Sequence, residues 1–139
     1  EAFVQRMNEL AHRLGLKDTH FADVHGLGSA EHYTSAWDLA LLSEHAMTLP
    51  EFRAVVGSET HVASGTRELS LYNLNPLLNY TPGVDGVKTG YTEEAGPTFV
   101  ASAERDGHRI TVVLLDAPSM ALDAIALIEW AFRNFEWPP

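Results

Sequence analysis

The residues best placed to do chemistry lie in one run, Gly83-Val84-Asp85-Gly86-Val87-Lys88-Thr89-Gly90-Tyr91-Thr92. A lysine, a hydroxyl and a glycine follow one another there, on a segment that reads as a strand, with further glycines before them. Alternate residues of a strand share a face, so Lys88 and Gly90 point one way and Thr89 the other, unless the strand twists or bulges. Gly90 removes a side chain where a ligand backbone could come close. A strand edge bare of side chains can pair with an extended peptide, and an ammonium nearby would attract that peptide's terminal carboxylate. An ordinary strand ending in a turn has the same local composition, so Lys-Thr-Gly alone does not decide. Asp85 reads either as a general acid or base or as a residue shaping the turn beside Gly83 and Gly86. Tyr91 reads either as a wall of a substrate site or as a strand aromatic.

Other chemistries find less support. His20, His25 and His32 lie near Asp18, Asp23 and Glu31, but no two histidines have the i, i+4 spacing that presents both imidazoles on one helix face. They read as solvated loop residues, and His108, beside Arg109, reads the same way. No metal site and no cofactor is expected. The absence of cysteine excludes disulfides and a thiol nucleophile. A net charge of −10 with nine Lys and Arg residues argues against nucleic acid as a partner. No apolar run approaches the roughly 18 residues of a membrane span.

The elements that must position the run are set by periodicity. Phe3, Val4, Met7, Leu10, Ala11 and Leu14 recur at helical spacing, with Gly15 at the C′ position. Residues 16–34, with Gly26 and Gly28, read as a structured loop. Ser35 caps a helix from Ala36 to about Met47, with Asp38 in its first turn, and a cap suits Ser35 better than a nucleophile. Pro50 opens a short helix through Val56, ended by Gly57. Ser58 to Leu71 alternates around Ser64-Gly65 as a hairpin, and residues 73–83 are rich in turn formers. Val84 to Tyr91 reads as a strand. Thr98 to Arg105 and His108 to Leu115 are strands joined by Asp106-Gly107. Ala121 to Phe135 is a closing helix ended by Pro138 and Pro139, and Trp37 and Trp130 are expected in the core. The order gives one α+β domain, an antiparallel sheet flanked by helices.

Seven ordered matches make the chain resemble the D-alanyl-D-alanine carboxypeptidases, the low-molecular-mass penicillin-binding serine peptidases. Phe3-Val4, Met7-Asn8 and Leu14-Gly15-Leu16 resemble F-V-x-x-M-N … L-G-L. Thr19-His20-Phe21 with Gly26-Leu27 resembles T-x-F … G-L. Ser35-Ala36-Trp37-Asp38-Leu39-Ala40 resembles S-A-x-D-L-A, and Asn73 to Leu78 resembles N-x-N-x-L-L. Gly83 to Thr92 is similar to G-V-D-G-x-K-T-G-Y-T. Ala95-Gly96 with Ala101-Ser102-Ala103 fits the family's next segment, and Trp130 with Phe132 fits W-x-F in the last helix.

The resemblance implies a partial β-lactamase/penicillin-binding-protein fold. Residues 1–139 would be the C-terminal portion of a catalytic domain whose activity is removal of terminal D-alanine from peptidoglycan stem peptides. Lys88 would supply positive potential and a hydrogen bond to the serine of an S-x-N motif. Thr89 would bind the substrate carboxylate, with Gly90 and Thr92 as neighbouring substrate-binding positions. The backbone N–H of Tyr91 would form half of an oxyanion hole. Penicillins would be ligands, and the location would be extracytoplasmic.

No serine in the chain is followed three residues later by lysine, and no S-x-N occurs. The expectation is therefore that the nucleophile lies upstream, that the chain alone is inactive, and that it pairs with that segment or with another copy. Asp123 fits the aspartate that opens the family's last helix, which puts Met120 where many members carry an arginine that helps bind the substrate carboxylate. Met120 keeps open a non-catalytic module that holds cell-wall peptide or a protein partner. A β-lactamase or transpeptidase of the same fold is the further alternative.

Overall fold

The computed structural model describes residues 1–27 and 29–137. Gly28, Pro138 and Pro139, the last two expected to end the closing helix, lie outside the described residues. Helix α1 (Ala2–Arg13) buries Ala11 and ends where Gly15 takes φ +75°, a conformation glycine adopts without strain. Helix α2 (Ala36–Met47) is capped by Ser35, whose hydroxyl accepts from the Asp38 N–H at 3.2 Å. Helix α3 spans Pro50–Val56.

Strands β1 (Thr60–Ala63) and β2 (Leu69–Tyr72) form a separate antiparallel ribbon. Strands β3 (Val84–Thr92), β4 (Gly96–Arg105) and β5 (His108–Leu114) form an antiparallel sheet in the order β3-β4-β5, and helix α4 (Met120–Asn134) closes the chain. The α+β class and the antiparallel sheet are as the sequence indicates. Strand β4 starts earlier than expected, at Gly96. That glycine sits at φ +64° hard against the Asp116 carboxylate, where a side chain would not fit.

Two layers cover the sheet. Phe99, Ala101, Ala103 and Val112 pack on one face against Ala124 and Ile128 of α4, with Leu77 closing the end of the core. The other face meets α2 and α3; at Gly86 an added Cβ would stand 3.0 Å from Val56 and 3.7 Å from Met47.

Several motif residues prove to hold backbone rather than substrate. The Asn8 amide grips Phe21 through both backbone groups, at 2.8 Å each. The buried Asp38 carboxylate accepts from the Asp18 N–H and the Thr19 hydroxyl, both at 2.7 Å, and so ties the 16–34 loop to α2. No helix among the described residues is long and apolar enough to cross a membrane.

Four expectations are corrected. Trp37 and Trp130 are not core residues but 71% and 55% exposed: the inward positions belong to Asp38, Ser43 and Met47 on α2 and to Ala124 and Ile128 on α4. His108 is not merely solvated: its ring stacks on Trp137, with centroids 5.1 Å apart. Asp85 does not shape a turn, since the strand is already under way at Val84. The fourth concerns His20, read as solvated: its ring nitrogen lies 2.5 Å from the Glu31 carbonyl, within a 16–34 segment that is a structured loop as expected and is pinned by an isolated bridge between residues 20 and 33.

Candidate active site

Strand β3 is an edge strand, paired on one side only among the described residues. Its register places Lys88 opposite Val100, Thr89 opposite Phe99, Gly90 opposite Thr98, Tyr91 opposite Pro97 and Thr92 opposite Gly96. Directly opposed residues share a face. Lys88, Gly90 and Thr92 therefore lie on the face that α2 and α3 cover further along, and Thr89 and Tyr91 on the face of Phe99. The expected division of Lys88 and Gly90 from Thr89 is what the strand shows.

The direction of the backbone groups can be read from Pro97. Its carbonyl accepts from the Ala117 N–H at 2.9 Å, on the side of β4 away from β3. A residue in an extended strand turns its N and its C=O to the same side, so Pro97 faces away from β3 and Tyr91–Pro97 is a non-hydrogen-bonded pair. Tyr91 then aims its own N–H and C=O out of the free edge of β3. Thr89, two residues earlier, does likewise. The Lys88 ammonium folds onto the Thr89 carbonyl, as expected of an acceptor left open at that edge.

The edge thus turns outward the N–H and C=O groups of Thr89 and Tyr91, with the Thr89 carbonyl held by the Lys88 ammonium. Gly90 lies between them, exposed, with nothing beyond its Cα. An added Cβ at Gly90 would stand 2.7 Å from the Thr98 hydroxyl. The Tyr91 ring is 70% exposed. Thr92 accepts from the Ala95 N–H at 3.0 Å and so orders the β3–β4 turn.

The cation at this edge is Lys88. Arg53, Arg105, Arg109 and Arg133 each sit within 4 Å of carboxylates, whereas Lys88, like Arg6, Arg13, Lys17 and Arg67, forms no ion pair among the described residues. Its charge is free to act on an anion brought to the edge. Among the described residues no group of three His, Cys, Asp or Glu side chains is arranged to hold a metal. Asp23 is the histidine-loop carboxylate with neighbours: it accepts from Gly26 N–H at 2.6 Å and His25 N–H at 2.9 Å, and the Gly26 bond leads in holding its carboxyl below the usual range.

The sequence reasoning missed two residues at this strand. Asn75, buried, donates to the Gly86 carbonyl at 2.9 Å and accepts from the Leu77 N–H at 2.9 Å. Arg109 of β5 donates to Asp85 at 2.9 Å, and also to Ser102 and Glu104. The N-x-N-x-L-L match signalled Asn75 as a letter; nothing signalled its partner. Met120 begins α4 and packs against the core, half-buried, offering no polar group to a ligand.

Residues 1–119 match the family model described as D-alanyl-D-alanine carboxypeptidase. The D-alanyl-D-alanine carboxypeptidase DacF of Bacillus subtilis is 35% identical over 144 residues, covering 100% of this chain and 37% of the relative. The solved DD-transpeptidase of Streptomyces K15 superposes with a TM-score of 0.90 at 31% identity, covering 94% of this chain and 54% of that one. Penicillin-binding protein D2 of Listeria monocytogenes, solved in a cefotaxime-bound form, superposes with a TM-score of 0.78 at 31% identity, covering 92% of this chain and 55% of that one. The chain spans about a third of that curated relative's length and about half of these solved chains.

Proposed function

The chain belongs to the D-alanyl-D-alanine carboxypeptidase family, and on that premise we propose that its parent protein is a serine-type carboxypeptidase that trims the terminal D-alanine from peptidoglycan stem peptides, outside the cytoplasmic membrane. The observation that carries the reading is the free edge of β3, with the Tyr91 N–H and Thr89 C=O directed outward and the Lys88 ammonium, which has no carboxylate partner among the described residues, resting on that C=O. A peptide laid along that edge pairs with it as an added strand. Its terminal carboxylate meets the Thr89 hydroxyl and the field of Lys88. The carbonyl of its penultimate residue then meets the Tyr91 N–H.

A serine supplied by a segment outside this chain attacks that carbonyl carbon. The negative charge that develops on the carbonyl oxygen is met by the Tyr91 N–H, a donor whose loss at such a site costs about 3–4 kcal/mol of barrier. The C–N bond breaks, the nitrogen takes a proton and D-alanine leaves, with an ester on the serine behind it. Water then cleaves the ester, returning the serine hydroxyl and the shortened peptide. A β-lactam enters the same sequence by opening its ring amide, so penicillins are proposed ligands. Without a serine followed three residues later by lysine, the 139-residue chain alone neither hydrolyses peptide nor acylates.

Met120 supports a second reading, a module that holds cell-wall peptide or a protein partner without cleaving it. A transpeptidase, as the Streptomyces relative is named, would differ only in passing the acyl group to an amine instead of water. Labelling the whole gene product with a fluorescent penicillin tests the proposal. The expected result is an intact-mass adduct that disappears when the upstream serine is replaced. A well-folded whole protein that gives no adduct would refute the enzyme reading in favour of the module.

A further inference from the structure

The pairing of β3 with β4 is interrupted once. Val84 lies opposite Ala103, and the next paired residue, Gly86, lies opposite Ser102, so Asp85 is an extra residue in the strand. A bulge of this kind changes the phase of everything after it, and a slip of one residue sends each side chain to the other face. With Asp85 drawn into the ladder, Gly86 would face Ala101, Val87 would face Val100, and Lys88 would face Phe99. Phe99 is 1% exposed, at the centre of the face that α4 covers. The ammonium of Lys88 would then lie towards a packed apolar layer, and the outward backbone groups would belong to Lys88 and Gly90 instead of Thr89 and Tyr91.

Three side chains converge on the bulge: Arg109, Asn75 and, from α3, Arg53, whose guanidinium stands 3.9 Å from the Asp85 carboxylate. Arg109 reaches from β5 across β4 to Asp85, binding Ser102 and Glu104 on the way, so one guanidinium ties together all three strands. The Ser102 it binds has no solvent exposure, which fixes the fork. Asn75 takes the Gly86 carbonyl immediately after the extra residue. The end of α3 lies on the same spot, since a Cβ added to Gly57 would stand 3.1 Å from the Asp85 carbonyl.

We propose that Asn75, Asp85 and Arg109 are positioning residues, which by locking the bulge at Asp85 set the face of Lys88 and the outward direction of the Tyr91 N–H. The inference rests on the carboxypeptidase reading for its catalytic consequence, but not for the register itself.

The test uses the whole gene product with Asn75→Asp, which removes the amide donor at nearly constant shape, and Asp85→Asn, which weakens the grip of Arg109. Glu129→Gln is the control. It weakens a pair of similar burial between Glu129 and Arg105 from the α4 side and leaves the bond of Arg105 to the Pro82 carbonyl, at the entry to β3, in place. Penicillin acylation is resolved into a binding constant and a rate constant for acylation, and melting temperature is recorded beside them. Asn75→Asp and Asp85→Asn should lower the acylation rate constant at least tenfold, while the control, matched in melting temperature, keeps it. With lysine and valine isotopically labelled, cross-strand NOEs should join Lys88 to Val100 in the unaltered protein and weaken in the two variants. Unchanged acylation, or losses that track melting temperature as in the control, would overturn the proposal, as would an unchanged Lys88–Val100 contact. An unaltered protein that is never acylated sinks the carboxypeptidase reading instead, and the NOEs then still decide whether these residues hold the register.

Discussion

Gly90→Ala separates two roles of one missing side chain. The new methyl would stand 2.7 Å from the Thr98 hydroxyl, closer than such carbons are found, so that hydroxyl has to turn away. Threonine is stiff about χ1, and the displacement costs about 1 kcal/mol. Replacing glycine within a strand returns about 0.5–1 kcal/mol of backbone entropy. Net stability should therefore change by less than about 0.5 kcal/mol, a shift in melting temperature of no more than about 1–3 °C. In Gly90→Ala with Thr98→Ala the clash is gone, and the protein should be at least as stable as the original. Ligand approach should behave differently. The methyl stands on the exposed face of the free edge, between the backbone positions offered by Thr89 and Tyr91, so an incoming strand is held off. Acylation by a fluorescent penicillin should fall at least tenfold, about 1.4 kcal/mol of barrier, in the single and the double variant alike. Acylation at the original rate in Gly90→Ala, or its recovery on adding Thr98→Ala, would refute the claim that the bare glycine serves the ligand.

Ile128→Ala removes a side chain with no solvent exposure from beneath the sheet, and urea unfolding should show a loss of about 2–5 kcal/mol. Asp38→Ala takes away the acceptor of the Asp18 N–H and of the Thr19 hydroxyl, which keeps Thr34 as a partner; stability should fall by about 1–3 kcal/mol in all, and hydrogen exchange at Asp18 should quicken as the loop loosens. The Arg105 guanidinium, bonded to Glu129 at 2.5 Å, holds the Glu129 carboxyl below its ordinary value of 4.5. A depressed carboxyl contributes stability that is present above the unfolded value and lost as pH falls through the folded one. Melting temperatures of Glu129→Gln should thus lie below the original above pH 4.5 and converge with it on acidification; a gap that stays constant through the acid range would contradict this.

Periodicity made most of the fold legible. The 3.6 spacing from Phe3 to Leu14, the Ser35 cap and the Asp106-Gly107 turn each act through neighbours in sequence, and each appears where expected. The run around Lys88 was legible as a strand for the same reason. The bulge was not, because an extra residue leaves no mark in a strand's own letters; it is defined by Ser102 on the next strand. Nor was the use of Asn8, Asp38 and Asn75, whose partners are backbone groups 11–20 residues away. Trp37 and Trp130 failed for a different reason: large apolar residues are assigned inward by size, whereas in this chain the inward positions are taken by Asp38, Ser43 and Met47 on α2 and by Ala124 and Ile128 on α4.

The β1–β2 ribbon has a practical use. Every residue of β2 and most of β1 are exposed, and the ribbon is joined to the remainder at its base, where the Asn73 amide holds the Val56 and Ser58 carbonyls at 3.0 Å. The connection at residues 64–68 is therefore a free tip. Brief trypsin treatment should cut first after Arg67 and leave the three-stranded sheet associated. An epitope or fluorophore spliced into the same tip would report on the protein in cells from a point that the pairing of β3 does not pass through.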